Sequence, residues 1–80
     1  MPDGDSAVKA RIEKDISLFR SNIKSIKAHP DKKVSYMLEM AKRYASDSES
    51  YLSRNDFYTA FSCISYAHGI LDCIKEIFGD

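Results

Sequence analysis

The chain has 80 residues, 44% of them hydrophobic and 30% charged, which is enough apolar material for one small folded domain and too little length for two. Twelve basic and twelve acidic side chains cancel, which removes the strongly basic balance that marks most nucleic-acid and membrane-surface proteins. No apolar run approaches the roughly 18 residues that span a bilayer, and no basic segment followed by an apolar one opens the chain, so a cytoplasmic protein without a membrane segment is expected.

Residues 1–5 read as a frayed end, with Asp5 or Ser6 offering an acceptor to the first free amides of a helix that runs over about 6–27. Its apolar residues Val8, Ile12, Ile16, Phe19, Ile23 and Ile26 are spaced 4, 4, 3, 4 and 3, a narrow helical stripe with Leu18 at its flank. Ala28, His29 and Pro30 break the pattern, because proline disfavours a helical residue before it and has no amide to continue the ladder.

A second helix is expected over 31–53, capped by Asp31 or His29. Val34, Met37, Leu38, Ala41, Tyr44, Ala45, Ser48, Tyr51 and Leu52 form its inner face, with Met40 at the margin. Asn55 tolerates the left-handed conformation that ends a helix, and Asp56 is a strong cap for the next one. A turn this short forces the flanking helices to run antiparallel.

The third helix, over 56–78, is the densest apolar segment. At about 100° per residue, Ala60, Ile64, Ala67, Leu71, Ile74 and Phe78 fall on one stripe, and Cys63, Tyr66, Ile70, Cys73 and Ile77 on a second beside it. Two seams ask for two partner helices, so the expected fold is an all-α, up-down-up three-helix bundle formed by residues 1–80 as one domain. Cys63 and Cys73, about 15 Å apart along one helix, are beyond disulfide reach and read as reduced core thiols.

The residues Tyr44-Ala45, Tyr51-Leu52, Asn55-Asp56-Phe57, Ala60-Phe61 and Ser65-Tyr66-Ala67-His68-Gly69-Ile70-Leu71-Asp72 carry a resemblance to the archaeal family called domain of unknown function 357. The likeness covers roughly the last forty residues; the first helix agrees by length and pattern alone. It implies a short all-helical protein without assigned function, and it places a glycine where this chain has Asn55. A weaker likeness to a single tetratricopeptide hairpin, through Tyr44, Ser48, Tyr51, Ala60, Ile64 and Ala67, has no second copy to stack on.

Ser65, His68 and Asp72 share one side of the third helix at spacings of three and four, which imitates a nucleophile, base and orienting acid. A mid-helix serine has no free amides beside it to form an oxyanion hole, so a simple His68–Asp72 contact is the expected use and no enzyme is inferred. Two histidines and two cysteines without ligand spacing give no metal site, and glycines standing singly give no phosphate loop, so no cofactor is expected.

Two surface features remain. Arg20, Lys24, Lys27, Lys32 and Lys33 gather at the turn between the first two helices, in a chain whose residues 1–43 hold ten Lys/Arg against six Asp/Glu and whose residues 44–80 hold two against six. Lys32 and Lys33 oppose the dipole of the helix they begin, but no aromatic residue interleaves the cluster for base stacking. Gly69 is the sharper oddity, since a mid-helix glycine costs about 1 kcal/mol relative to alanine and this one projects away from the apolar arc. With Ser62 and Ser65 it outlines a small-residue groove flanked by Tyr58, His68 and Asp72. The functional expectation is therefore a non-catalytic interaction module that binds a protein partner or a second copy through the third helix. Weak nucleic-acid binding at the basic end is the alternative, and an enzyme or metalloprotein a remote third.

Overall fold

The computed structural model describes residues 4–26 and 31–78. Three helices follow one another: α1 (Gly4–Lys24), α2 (Lys32–Ser53) and α3 (Phe57–Phe78). Each packs on the other two, with α2 and α3 sharing the largest interface, so the described residues form the expected all-α three-helix bundle. With a cross-section of 20 × 16 Å, no side chain is far from the surface, and the core must be a single file of well-fitted residues.

The hairpin between α2 and α3 is held by local chemistry. Asn55 adopts φ 61°, the left-handed conformation its short polar side chain tolerates. Its amide donates to the Leu52 carbonyl at 3.0 Å and the Asp56 amide to the Tyr51 carbonyl at 3.0 Å, the paired bonds of a Schellman turn. Asp56 then caps α3 by accepting from the Thr59 amide at 3.2 Å. Arg54, at the end of α2, lies 4.5 Å over the Tyr51 ring. At the other end of α2, Asp31 accepts from the Lys33 amide at 2.8 Å and is the cap; His29 lies outside the described residues.

The core is built from Ile12, Ile16 and Phe19 of α1, Val34, Ala41, Ala45 and Leu52 of α2, and Ala60, Ile64, Ala67, Leu71 and Ile74 of α3. Four alanines at the α2–α3 seam bring the two backbones close, and Ser48 uses the proximity: fully buried, it donates to the Ala60 carbonyl at 2.6 Å. Ile23, Ile26, Met37, Leu38, Tyr44, Tyr51, Phe57 and Ile70 pack half-buried around this file.

Several boundary expectations are corrected. α1 begins at Gly4, so Asp5 and Ser6 lie inside its first turn, where the Asp5 carboxylate favours the positive end of the helix dipole. It ends at Lys24, because the Ser25 and Ile26 amides turn back to the Asn22 and Ile23 carbonyls in three-residue steps. Val8 is 44% exposed, at the rim of a depression it shares with Ile12 and with Phe61 of α3. The second seam of α3 is only partly covered. Cys63 and Ile70 are half-buried, whereas Cys73, Tyr66 and Ile77 are exposed; on the first stripe, Phe78 at the helix end is also exposed. Tyr66 stacks on Tyr44 of α2, centroids 5.5 Å apart, and that contact at the rim leaves the rest of its ring in solvent.

Because Leu71 and Ile64 fill the centre of the file, replacing either by alanine is expected to lower unfolding stability by about 2 to 5 kcal/mol. Ser48→Ala leaves the buried Ala60 carbonyl without its side-chain donor and is expected to cost about 1 kcal/mol. Chemical denaturation of the purified variants checks both.

Candidate functional site

The small residues of the outer face do form a depression. Ser62, Ser65 and Gly69 make the floor, Phe61 one wall, and Tyr66, Ile70 and Met37 of α2 the other, with Cys73 closing the end. The trough holds about 560 Å³ and no charged side chain lines it. Ser62 directs its hydroxyl to the Tyr58 carbonyl one turn back, at 3.1 Å, which satisfies the donor within the helix and leaves the floor less polar than its sequence implies.

Gly69 keeps that floor low. A methyl group added there meets no atom of the chain within 4 Å, so neither the fold nor backbone strain requires glycine at this position. Its effect is on the surface alone: it lets whatever crosses α3 approach the backbone closely.

The remaining flank residues are placed differently from expectation. Tyr58 and Asp72 are exposed but do not line the trough, and His68 turns toward α1. Its Nε2 lies 2.8 Å from the Asp15 carbonyl of α1. A carbonyl can only accept, so Nε2 carries the proton. The ring also stands edge-on to Phe19, 5.9 Å between centroids and 87° between planes. The expected His68–Asp72 contact is not made, because the gap between α1 and α3 offers His68 both a hydrogen-bond acceptor and an aromatic face. Ser65, His68 and Asp72 therefore do not converge.

Five lining residues, Phe61, Met37, Ile70, Tyr66 and Cys73, were not assigned to the site from sequence. The signal that finds three of them is charge. Residues 57–71 carry no Asp, Glu, Lys or Arg, fifteen positions and four helical turns in a chain that is 30% charged. The core accounts for one side of that run. It does not account for Tyr58 at 85% exposure, Tyr66 at 64% and Phe61 at 46%, all of which face water. Phe61 also walls a second, smaller depression with Ala7, Val8, Arg11 and Ile12, so the apolar surface continues from the trough onto α1.

The two cysteines differ. Cys73 is exposed at the end of the trough, against the expectation of a core thiol; Cys63 is half-buried, and burial, followed by the charges of Asp47 and Asp56, raises its thiol above the usual range.

The basic cluster is less of a cluster than it reads. Arg20 pairs with Glu49 of α2, a surface ion pair between the positive and negative parts of the chain. Lys24, Lys32 and Lys33 are exposed, and Lys27 lies outside the described residues. Tyr36, one turn beyond Lys32 on the same helix face, is also exposed, an aromatic neighbour the sequence reading did not count. A cleft lined by Lys9, Glu13, Ile16, Glu49, Leu52, Ser53 and Asn55 mixes both charges. Among the described residues no group of three His, Cys, Asp or Glu side chains could hold a metal ion, and no helix is long and apolar enough to cross a membrane.

Fold and surface together define a small all-helical bundle protein. A family model described as a protein of unknown function (DUF357) matches residues 14–78, and the chain belongs to that family. The match takes in most of α1 as well as the hairpin. No curated protein matches the chain.

With open space above its α-carbon, Gly69→Ala is expected to raise the stability of the isolated chain by up to about 1 kcal/mol. His68→Ala, which removes the tie to Asp15, is expected to lower it by about 1 kcal/mol. Thermal unfolding at low protein concentration measures both.

Proposed function

We propose that this protein is a cytoplasmic, non-catalytic interaction module whose working surface is the outer face of α3, occupied by another protein. One observation carries the reading: the charge-free run of residues 57–71 extends past the core onto solvent-facing positions and there lines a trough with a glycine floor. A helix surface left to water tolerates and normally carries charges; one that meets another protein loses them at its centre and keeps aromatic residues and methionine. Tyr66, Phe61 and Met37 are residues of that kind. The non-catalytic part rests on His68, whose ring is engaged by Asp15 and Phe19 and lies away from Ser65. The cytoplasmic part rests on the exposed thiol of Cys73, which persists in a reducing compartment.

Cys73 also provides the test, because an occupant of the trough shields it while Cys63, half-buried and slow to ionise, serves as the internal reference. Alkylation of Cys73 is expected to slow by about tenfold or more when the dilute purified chain is transferred into a soluble extract of its own organism. In Ser65→Arg, which places a charge on the trough floor, the fast rate is expected to return. An unchanged Cys73 rate in extract, for a chain that also stays monomeric on its own, sinks the reading.

The basic end supports a second, weaker reading, an anionic partner such as single-stranded RNA, favoured by Tyr36 beside Lys32 and Lys33 and weakened by the pairing of Arg20. Binding of that kind weakens with salt at a log–log slope of about −0.7 per phosphate neutralised. Absence of binding at about 50 mM salt removes it.

A further inference from the structure

The surface of α3 says more about its occupant than that it is a protein. We infer that the occupant is a second copy of this chain, packed antiparallel, α3 against α3, about a two-fold axis near Ser65. This rests on the interaction reading above and narrows it to one partner.

Two properties of the chain favour a copy of itself. The first is self-complementarity. Ser65 lies between the other two floor residues, Ser62 and Gly69, and near the middle of the charge-free run. A two-fold axis there places the uncharged turns of each copy on those of the other, as an isologous interface requires. In that register Phe61, the exposed wall of the trough, comes over Gly69 of the second copy. A large ring thus meets the one floor position without a side chain, and meets it twice by symmetry.

The second is charge. The formal charges of α3 all lie in its last turns, at Asp72, Lys75 and Glu76. A parallel pair brings Asp72 to Asp72 and Glu76 to Glu76, like charges face to face. The antiparallel pair separates them and sends each to the opposite end of the other helix, where Asp72 lies beside Tyr58 of the second copy, whose exposed hydroxyl can donate to a carboxylate. Glu76 is carried toward the amino-terminal end of the other α3, the positive end of its dipole.

The test uses the purified full chain alone, by sedimentation across a hundredfold concentration range with circular dichroism as a control for folding. Wild type is expected to pass from monomer to dimer. Ser65→Arg changes an exposed residue to a better helix former and sets two cations against each other at the axis, so the dissociation constant is expected to rise by about a hundredfold or more with helicity unchanged. Gly69→Leu is expected to do the same by filling the place of Phe61.

Orientation is read by oxidation in a Cys73→Ser background. Ser65→Cys, at the axis, is expected to form a covalent dimer, and Gly69→Cys, about 12 Å along the axis from its symmetry mate, is not. Covalent dimers from both in equal yield indicate a parallel pair and overturn the arrangement. A wild type that stays monomeric at every concentration overturns self-association. In that event slowed alkylation of Cys73 in extract still supports a different protein partner, and an unchanged rate removes the interaction reading with it.

Discussion

The close approach of α2 and α3 governs the rest of the molecule. Ala41 and Ala45 on one helix and Ala60 and Ala67 on the other keep the seam narrow, and Ser48 spans it with a hydrogen bond to a main-chain carbonyl that a wider seam would put out of reach. With the backbones this near, Ile64, Leu71 and Ile74 are pushed toward the third side, where α1 must lie to cover them. The left-handed Asn55 and the cap at Asp56 make the hairpin locally preferred, so turn chemistry and packing specify the same geometry.

That arrangement also decides what is left outside. A helix between two neighbours covers about half its circumference, and α3 is apolar over more than half. The surplus is the trough. Cys73, Tyr66 and Ile77 extend the inner pattern around the helix to a face that none of the described elements covers.

The fold was legible because its signals are local and redundant. The stripe through Ile12, Ile16 and Phe19, the cap at Asp31 and the turn at Asn55 each depend on a few neighbouring residues. What periodicity alone misjudged was exposure. Val8 continues the stripe of α1 and Cys73 that of α3, yet a periodic pattern records which face a residue takes and is silent on where the neighbouring helix ends. The groove residues Ser62, Ser65 and Gly69 were readable from their size and spacing, whereas Met37 comes from another helix and no spacing within α3 points to it. His68 shows the same limit from the other direction. Its partner, a carbonyl 53 positions away, has no sequence signature, because every residue carries one.

The narrow stripe of α1 has a consequence for how the molecule comes apart. Three buried side chains, the half-buried Ile23, the exposed Arg20–Glu49 pair and the bond from His68 to Asp15 hold this helix, against a hairpin locked by its own turn, cap and buried hydroxyl. Local opening follows the weakest interface, so α1 forms the lowest-energy unfolding unit of the domain. When it swings away, the side of α3 that carries Ile64 and His68 is bared alongside Phe61.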